Sequence, residues 1–221
     1  MHGGRAREHP FKRAGSSLVA TCAGCVQALR GAGRMPTLPL SQIRIGSCPG
    51  GRRDRLSAFA IACARAGASA VTAVEISDSL VKQIDENAQL NGVTITTKEA
   101  NVFDYLSDQI RDNIQFDLIV LDPPSFTKSK ESLNNARRGY KEIHLRALQL
   151  LPPEGYLATF SCSHHVSRAM FLEMIVDASM DAKRHVRILK SLSQPLDHPI
   201  LPHIPETEYL KGYLLQVLPG R

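Results

Sequence analysis

From residue 57 onward the chain alternates between stretches of helical hydrophobic period and short, nearly continuous apolar runs. Residues 57–66 (SAFAIACARA) predict a small-residue helix packed on a sheet, with Gly67 as its stop. Residues 71–76 predict a buried strand with Glu75 at its end, and 78–90 an amphipathic helix with Asp78 near its cap and Asn91-Gly92 closing it. A strand over 93–99, a short helix over 104–111 and a strand over 116–121 follow. Next come a helix over 139–151 stopped by Pro152-Pro153, a strand over 155–160 and a long helix over 167–182. Residues 185–192 and 209–218 read as a closing antiparallel pair. Strands alternating with helices predict an α/β fold: a doubly wound, mostly parallel sheet with a C-terminal antiparallel strand pair.

Residues 1–56 show neither period. They hold nine of the fifteen glycines and a single aromatic residue, Phe11. Ten of their residues are Lys or Arg and two are acidic, Glu8 and Asp54, whereas residues 57–221 hold 17 basic and 19 acidic residues. The net charge of +6 therefore divides into +8 and −2, and the basic balance belongs entirely to the first quarter. Such a segment buries too little apolar surface to offset its ordering entropy, so most of it is expected to be poorly ordered. Lys12-Arg13 before Leu18-Val19-Ala20 makes a short, broken version of a secretory signal. Cys22 and Cys25 have zinc-knuckle spacing without a second pair, since Cys48 stands alone; no metal site is expected. A basic arm for nucleic acid is the remaining alternative to an inert tail. Two domains follow from the contrast, 1–56 and 57–221. Five cysteines on an α/β pattern indicate a reducing, cytoplasmic setting, and no apolar run reaches the ~18 residues of a membrane span.

The chemistry-bearing residues gather where strands end. In open α/β sheets, ligands bind at the carboxyl ends of the strands. Glu75, with Ile76 beside it, sits where a carboxylate's paired acceptors suit the two hydroxyls of a ribose. Asn101-Val102-Phe103 follows the next strand and suits an adenine, Asn101 at its edge and Val102 or Phe103 at its face; a capping turn is the plain alternative. Asp122-Pro123-Pro124-Ser125-Phe126 is a stiff turn that fixes a carboxylate and backbone carbonyls, because proline fixes φ and donates nothing. It suits the polar edge of an unstacked base, with Phe126 available for stacking. Cys162 lies just past the next strand between Ser161 and Ser163, with His164-His165 nearby to favour the thiolate. A lone cysteine is more often a packed core residue, as Cys63 is expected to be. Lys128, Lys130, Arg137, Arg138 and Lys141 form a basic loop suited to phosphates. Asp197-His198-Pro199 and Glu208 to Gly212 are turn and strand signals without assigned chemistry.

The motifs AFAIACARAGA, VEIS, LDPPSFTKSK, RRGYKEIHLRALQLL, TFSCSHH, DHPI and YLKGY resemble those of the class I S-adenosylmethionine-dependent methyltransferases that modify large-subunit ribosomal RNA at cytosine C5. The resemblance spans roughly 160 of the 221 residues. It implies a Rossmann-like fold, S-adenosylmethionine as cofactor, and 23S-type ribosomal RNA as partner; a homodimer is left open. It implies Cys162 as the nucleophile and Asp122 as the acid that grips the base. The implied cofactor contacts are Glu75, Ile76, Asn101, Val102, Asp122 and Pro123, and the implied substrate contacts Pro124, Phe126, Lys128 and Arg138. Relatives that methylate guanine amines share the Asp-Pro-Pro turn but usually lack the cysteine, so Cys162 discriminates the two chemistries.

The chain departs from that family in two places. Nothing in it resembles the usual N-terminal RNA-binding PUA domain and its linking β-rich region. A first strand and glycine-bearing loop of the type LNLFSYTGAF should precede Phe59, where the chain instead has Gly50-Gly51-Arg52-Arg53-Asp54-Arg55-Leu56-Ser57. The first strand is therefore expected to be degenerate or missing, residues 1 to about 57 are read as out of frame or begun at a misplaced start, and a remnant without cofactor binding is the non-enzymatic alternative. Translating the underlying nucleotide sequence in all three frames should uncover an LFSYTG-like stretch upstream of Phe59; its absence would refute the frame-shift reading.

Overall fold

The computed structural model describes residues 17–20, 26–30, 58–126, 133–194 and 198–220. Cys22, Cys25, Cys48, Lys128, Lys130, Asp197 and residues 50–57 lie outside the described residues. The strands are β1 (Ser17–Ala20), β2 (Val26–Arg30), β3 (Ala70–Glu75), β4 (Thr96–Glu99), β5 (Leu118–Leu121), β6 (Tyr156–Ser161), β7 (Val186–Ser193) and β8 (Lys211–Val217). The helices are α1 (Ala58–Arg65), α2 (Asp78–Leu90), α3 (Val102–Arg111), α4 (Leu133–Gln149) and α5 (Arg168–Asp181).

One sheet carries all eight strands in the order β4-β3-β1-β2-β5-β6-β8-β7. β3 runs parallel to β4, and β5 parallel to β6. β1 is parallel to both β3 and β5, so β3 to β6 all end at one edge of the sheet. β8 lies antiparallel between β6 and β7. The closing antiparallel pair is as expected; its insertion, with β8 inside β7, is a feature of the assembled sheet.

The alternation of side chains along each strand divides the core into two layers. Leu118 and Val120 of β5 join Ala60, Val71 and Phe160 on one face, where α1 packs, and Ala73 meets Ile84 of α2. Ile119 and Leu121 turn to the other face, where Leu106 of α3, Tyr140, Ile143 and Ala147 of α4, and Phe171 and Ile175 of α5 close over them. β5 is buried along its whole length, as a parallel strand covered on both faces must be.

The gap between β3 and β5 departs from expectation. Two short strands from the glycine-rich segment occupy it. β1 places Val19 opposite Ile119, and β2 places Ala28 opposite the same residue. Leu157 of β6 already pairs with Ile119 on its other side. A strand has two edges, so β1 and β2 share one partner position instead of each completing a ladder.

Helix boundaries also shift. α3 begins at Val102 because the Asn101 side chain accepts from the Phe103 N–H at 2.9 Å, capping the helix earlier than its apolar period suggested. α4 begins six residues before Gly139, which lies inside the helix. A Cβ there would stand 3.4 Å from the Phe126 ring, so Gly139 accommodates the aromatic side chain of the Asp-Pro-Pro turn.

Gly212, the second residue of β8, is more tightly confined. A Cβ on it would lie 2.6 Å from Phe160 Cδ1 and 2.8 Å from the Thr159 carbonyl oxygen. Gly212→Ala should cost about 1–3 kcal/mol through overpacking at the β6–β8 seam. Urea unfolding of the two proteins, compared by midpoint at unchanged slope, measures it.

Candidate active site

Four strand ends deliver the site. β3 ends in Glu75, which is 1% exposed. Its Oε1 accepts from the Ile76 N–H at 2.8 Å, while Oε2 is buried with no partner among the described residues. An orphaned buried carboxylate oxygen is costly unless a ligand satisfies it. Ile76 beside it is 63% exposed, an apolar surface presented to solvent at the same edge. A carboxylate acceptor next to an open apolar side chain fits a diol attached to a flat ring.

Asn101 follows β4 on the same edge. Its Oδ1 is committed to the cap of α3, so the capping role is real, and its side-chain NH2 is what remains for a ligand. Val102 and Phe103 pack partly against the core, and Phe103 also contacts Phe126 with ring centroids 6.2 Å apart. Val102 and Phe103 are both half-buried, whereas Ile76 is the exposed apolar side chain at this edge.

The Asp-Pro-Pro turn leaves β5 with Pro123 buried and Pro124 exposed. Phe126 packs edge-on against Tyr140, centroids 4.7 Å apart, and against Gly139. This ring braces the turn; the exposed surface of the turn belongs to Pro124. Of the basic cluster, Arg137 is paired with Glu173 at 2.9 Å and Lys141 with Asp181 at 2.8 Å. Both pairs lie on the α4–α5 surface. Arg138, exposed on α4, has no acidic partner among the described residues.

Cys162 is half-buried just past β6. Burial raises its thiol above the ordinary range, and the negative charge of Asp122 raises it further. The backbone N–H groups of Cys162 and Ser125 and the ammonium of Lys211 act in the opposite direction. Asp122 and Cys162 thus stand within electrostatic reach, with the sulfur against the backbone of the Asp-Pro-Pro turn. The balance at Cys162 is set by burial, Asp122, two amides and Lys211. Cys63, by contrast, is pushed up to about 12 by burial alone and is an inert core residue.

Beneath these groups runs a buried polar ladder that sequence reasoning did not single out. His144 Nε2 lies 2.7 Å from Thr159 Oγ1, and His144 Nδ1 lies 2.5 Å from the Tyr140 carbonyl oxygen. Tyr140 Oη lies 2.9 Å from Ser161 Oγ. Tyr140 and His144 stand one turn apart on α4, and Thr159 and Ser161 two apart on β6, so one helix face meets one strand face. The i, i+4 pair of polar aromatics on an otherwise apolar face was the available signal. Ser163 Oγ, past Cys162, is a second buried polar atom without a partner among the described residues. Gln194, after β7, donates to the carbonyls of His198 and Thr207 and accepts from the N–H groups of Tyr209 and Leu210, fixing the segment that leads into β8.

Residues 57–142 match the family described as Conserved hypothetical protein 95. Ribosomal RNA large subunit methyltransferase I of Pseudoalteromonas atlantica is 42% identical over 156 residues, 69% of this chain and 40% of that protein. The protein of the same name from Shewanella denitrificans is 40% identical over 162 residues, 72% of this chain and 41% of that protein. Over those residues the chain is similar to these two proteins. It spans about two fifths of the length of the curated relatives it matches. Among solved structures, SMU.776 complexed with SAH superposes with a TM-score of 0.66 at 23% identity, covering 75% of this chain and 43% of that one. NSun6 from Pyrococcus horikoshii, solved with SFG, superposes with a TM-score of 0.54 at 16% identity, covering 79% of this chain and 47% of that one. These likenesses establish the Rossmann-like methyltransferase fold. Among the described residues no helix is long and apolar enough to cross a membrane.

Burial lowers His144 from 6.5 to about 4, so the native ring is neutral while the unfolded ring takes up a proton between those values. The unfolded state then binds more protons, and stability should fall as pH drops through that window, by up to about 3 kcal/mol. Urea unfolding from pH 7 to pH 4 measures the slope, and His144→Gln, which keeps a hydrogen-bonding side chain without the titration, should flatten it.

Proposed function

We propose that this chain is the catalytic part of an S-adenosylmethionine-dependent RNA methyltransferase that acts on cytosine C5 in large-subunit ribosomal RNA through a cysteine adduct. The observation that carries the reading is the meeting of Cys162 and Asp122: a thiol and a carboxyl from adjacent parallel strands, within electrostatic reach at the ligand-binding edge. The relatives' name supplies the ribosomal RNA, and the cysteine selects the ring carbon over an exocyclic amine.

The residues present fit the cofactor. Glu75 Oε2 is an unsatisfied buried acceptor that suits a ribose hydroxyl, Ile76 offers an apolar face suited to adenine, and Asn101 retains a donor for its edge. Val102, Asp122 and Pro123 complete the wall on that side. When bound, S-adenosylmethionine supplies an electrophilic methyl group.

Cytosine C5 is a poor nucleophile by itself. Cys162, losing its proton, adds through Sγ to C6; the C5–C6 double bond opens and its electron pair is shared between C5 and the N3/O2 side of the ring. Asp122 meets the N3/N4 edge, where a shared proton offsets that charge. C5 takes the methyl group, then loses its own proton, and the electrons of that C–H bond restore C5–C6 and expel the Cys162 sulfur. Pro124 lines the base and Arg138, with Lys128, serves the phosphates. The base must first be unstacked, at a few kcal/mol, least in a single-stranded region.

Cys162→Ala should abolish methyl transfer to ribosomal RNA and the covalent trapping of RNA carrying 5-fluorocytosine, while leaving S-adenosylhomocysteine binding by calorimetry unchanged. Glu75→Gln should weaken that binding by about tenfold or more, as expected for a hydrogen bond to a charged acceptor. Transfer without a trapped adduct in the unaltered protein would favour guanine-amine chemistry, and no binding heat at millimolar ligand would favour a remnant.

A further inference from the structure

Lys211 opens β8 and is 3% exposed. Its Nζ donates to the Ser163 carbonyl at 2.6 Å and to the Val166 carbonyl at 2.8 Å. Strand pairing sets Lys211 opposite Ser161 on one side and Ser193 on the other, so the ammonium is held at the end of β6 where Cys162 emerges. Both of its carbonyl partners belong to the turn that carries the sulfur, one immediately after it. Burial pulls the Lys211 ammonium below the ordinary lysine range; of the charged groups around it, Glu208 and Cys162 favour the ammonium, and Arg168 of α5 opposes it. Asp122, from β5, acts on the sulfur with the opposite sign to Lys211.

A neutral amide could tether the same turn through the same kind of N–H donors. Burying an ammonium is costlier than burying an amide, since a charge removed from water needs compensation. Two of its protons go to the carbonyls, and the positive charge itself has a use only where negative charge develops. That place is the sulfur, which sheds its proton before attacking and bears the electron pair again when expelled.

We propose that Lys211 is a positioning residue: it holds the 161–166 turn against β8 and its ammonium is the counter-charge for the Cys162 sulfur. This rests on the reading of Cys162 as the nucleophile. It offsets Asp122, whose carboxyl the base requires but whose charge opposes ionisation of the thiol. It also gives Gly212 a reason to be confined, because a side chain there would push β8, and Lys211 with it, away from β6.

The test is the pH dependence of Cys162 alkylation by iodoacetamide on the full chain, followed at that residue by peptide mass spectrometry. Lys211→Gln keeps N–H donors for the turn and removes the charge; its alkylation midpoint should rise by about one pH unit, a tenfold slower reaction at fixed pH below the midpoint. Lys211→Arg, which keeps the charge, should stay near the unaltered protein. An unchanged midpoint in a folded Lys211→Gln protein overturns the proposal, as does a Lys211→Arg midpoint that rises equally. A Lys211→Gln chain that fails to fold assigns the ammonium to the fold alone and overturns it too. None of these outcomes depends on methyl transfer, so loss of the covalent RNA trap would refute the nucleophile reading separately.

Discussion

Parallel pairing of β5 with β6, with Leu121 opposite Thr159, is the constraint on which the candidate site depends. It makes both strands end together, so the Asp-Pro-Pro turn and the cysteine turn leave the sheet side by side. A one-residue slip of that register would send Thr159 and Ser161 to the opposite face, away from α4, and would separate Asp122 from Cys162. The full burial of β5 protects the register, because its apolar residues are claimed by helices on both faces.

The polar ladder between α4 and β6 adds specificity that apolar packing lacks. Leucines in those places would fill volume without distinguishing one register from another. His144 with Thr159 and Tyr140 with Ser161 are satisfied in one alignment only, and a shifted strand would leave buried hydroxyls unpaired. Tyr140 also braces Phe126, so the same helix fixes both turns. At the sulfur the opposing effects are of similar kind: burial and Asp122 hold the proton on, while two backbone amides and Lys211 ease its departure.

Glu75 is the counterpart at the end of β3. Its burial with one oxygen unsatisfied is a cost the fold carries by itself, and a ligand with a hydroxyl at that position would remove it. The gap between β3 and β5 lies next to it. There two short strands share Ile119. The likeness in sequence begins beyond these strands, with the family match starting at residue 57.

Much of this was legible in the chain itself. The α/β class, the strand ends at Glu75 and Leu121, the stop at Gly67 and the closing antiparallel pair follow from local period and from glycine and proline chemistry, which act within a few residues. The motifs LDPPSF and TFSCS likewise declare themselves, because residue type and position at a strand end suffice. The rest required the assembled sheet. Lys211 reads as an ordinary strand-start lysine until β8 is inserted between β6 and β7, which buries its charge beside a cysteine 49 positions earlier. Tyr140 and His144 read as helix-surface residues until β6 presents Thr159 and Ser161 to them, and Phe126 reads as a free ring until Gly139 and Tyr140 take it. Sequence determined which groups each segment carries; tertiary structure decided their protonation and partners, because burial and the nearness of charges are properties of segments brought together from far apart.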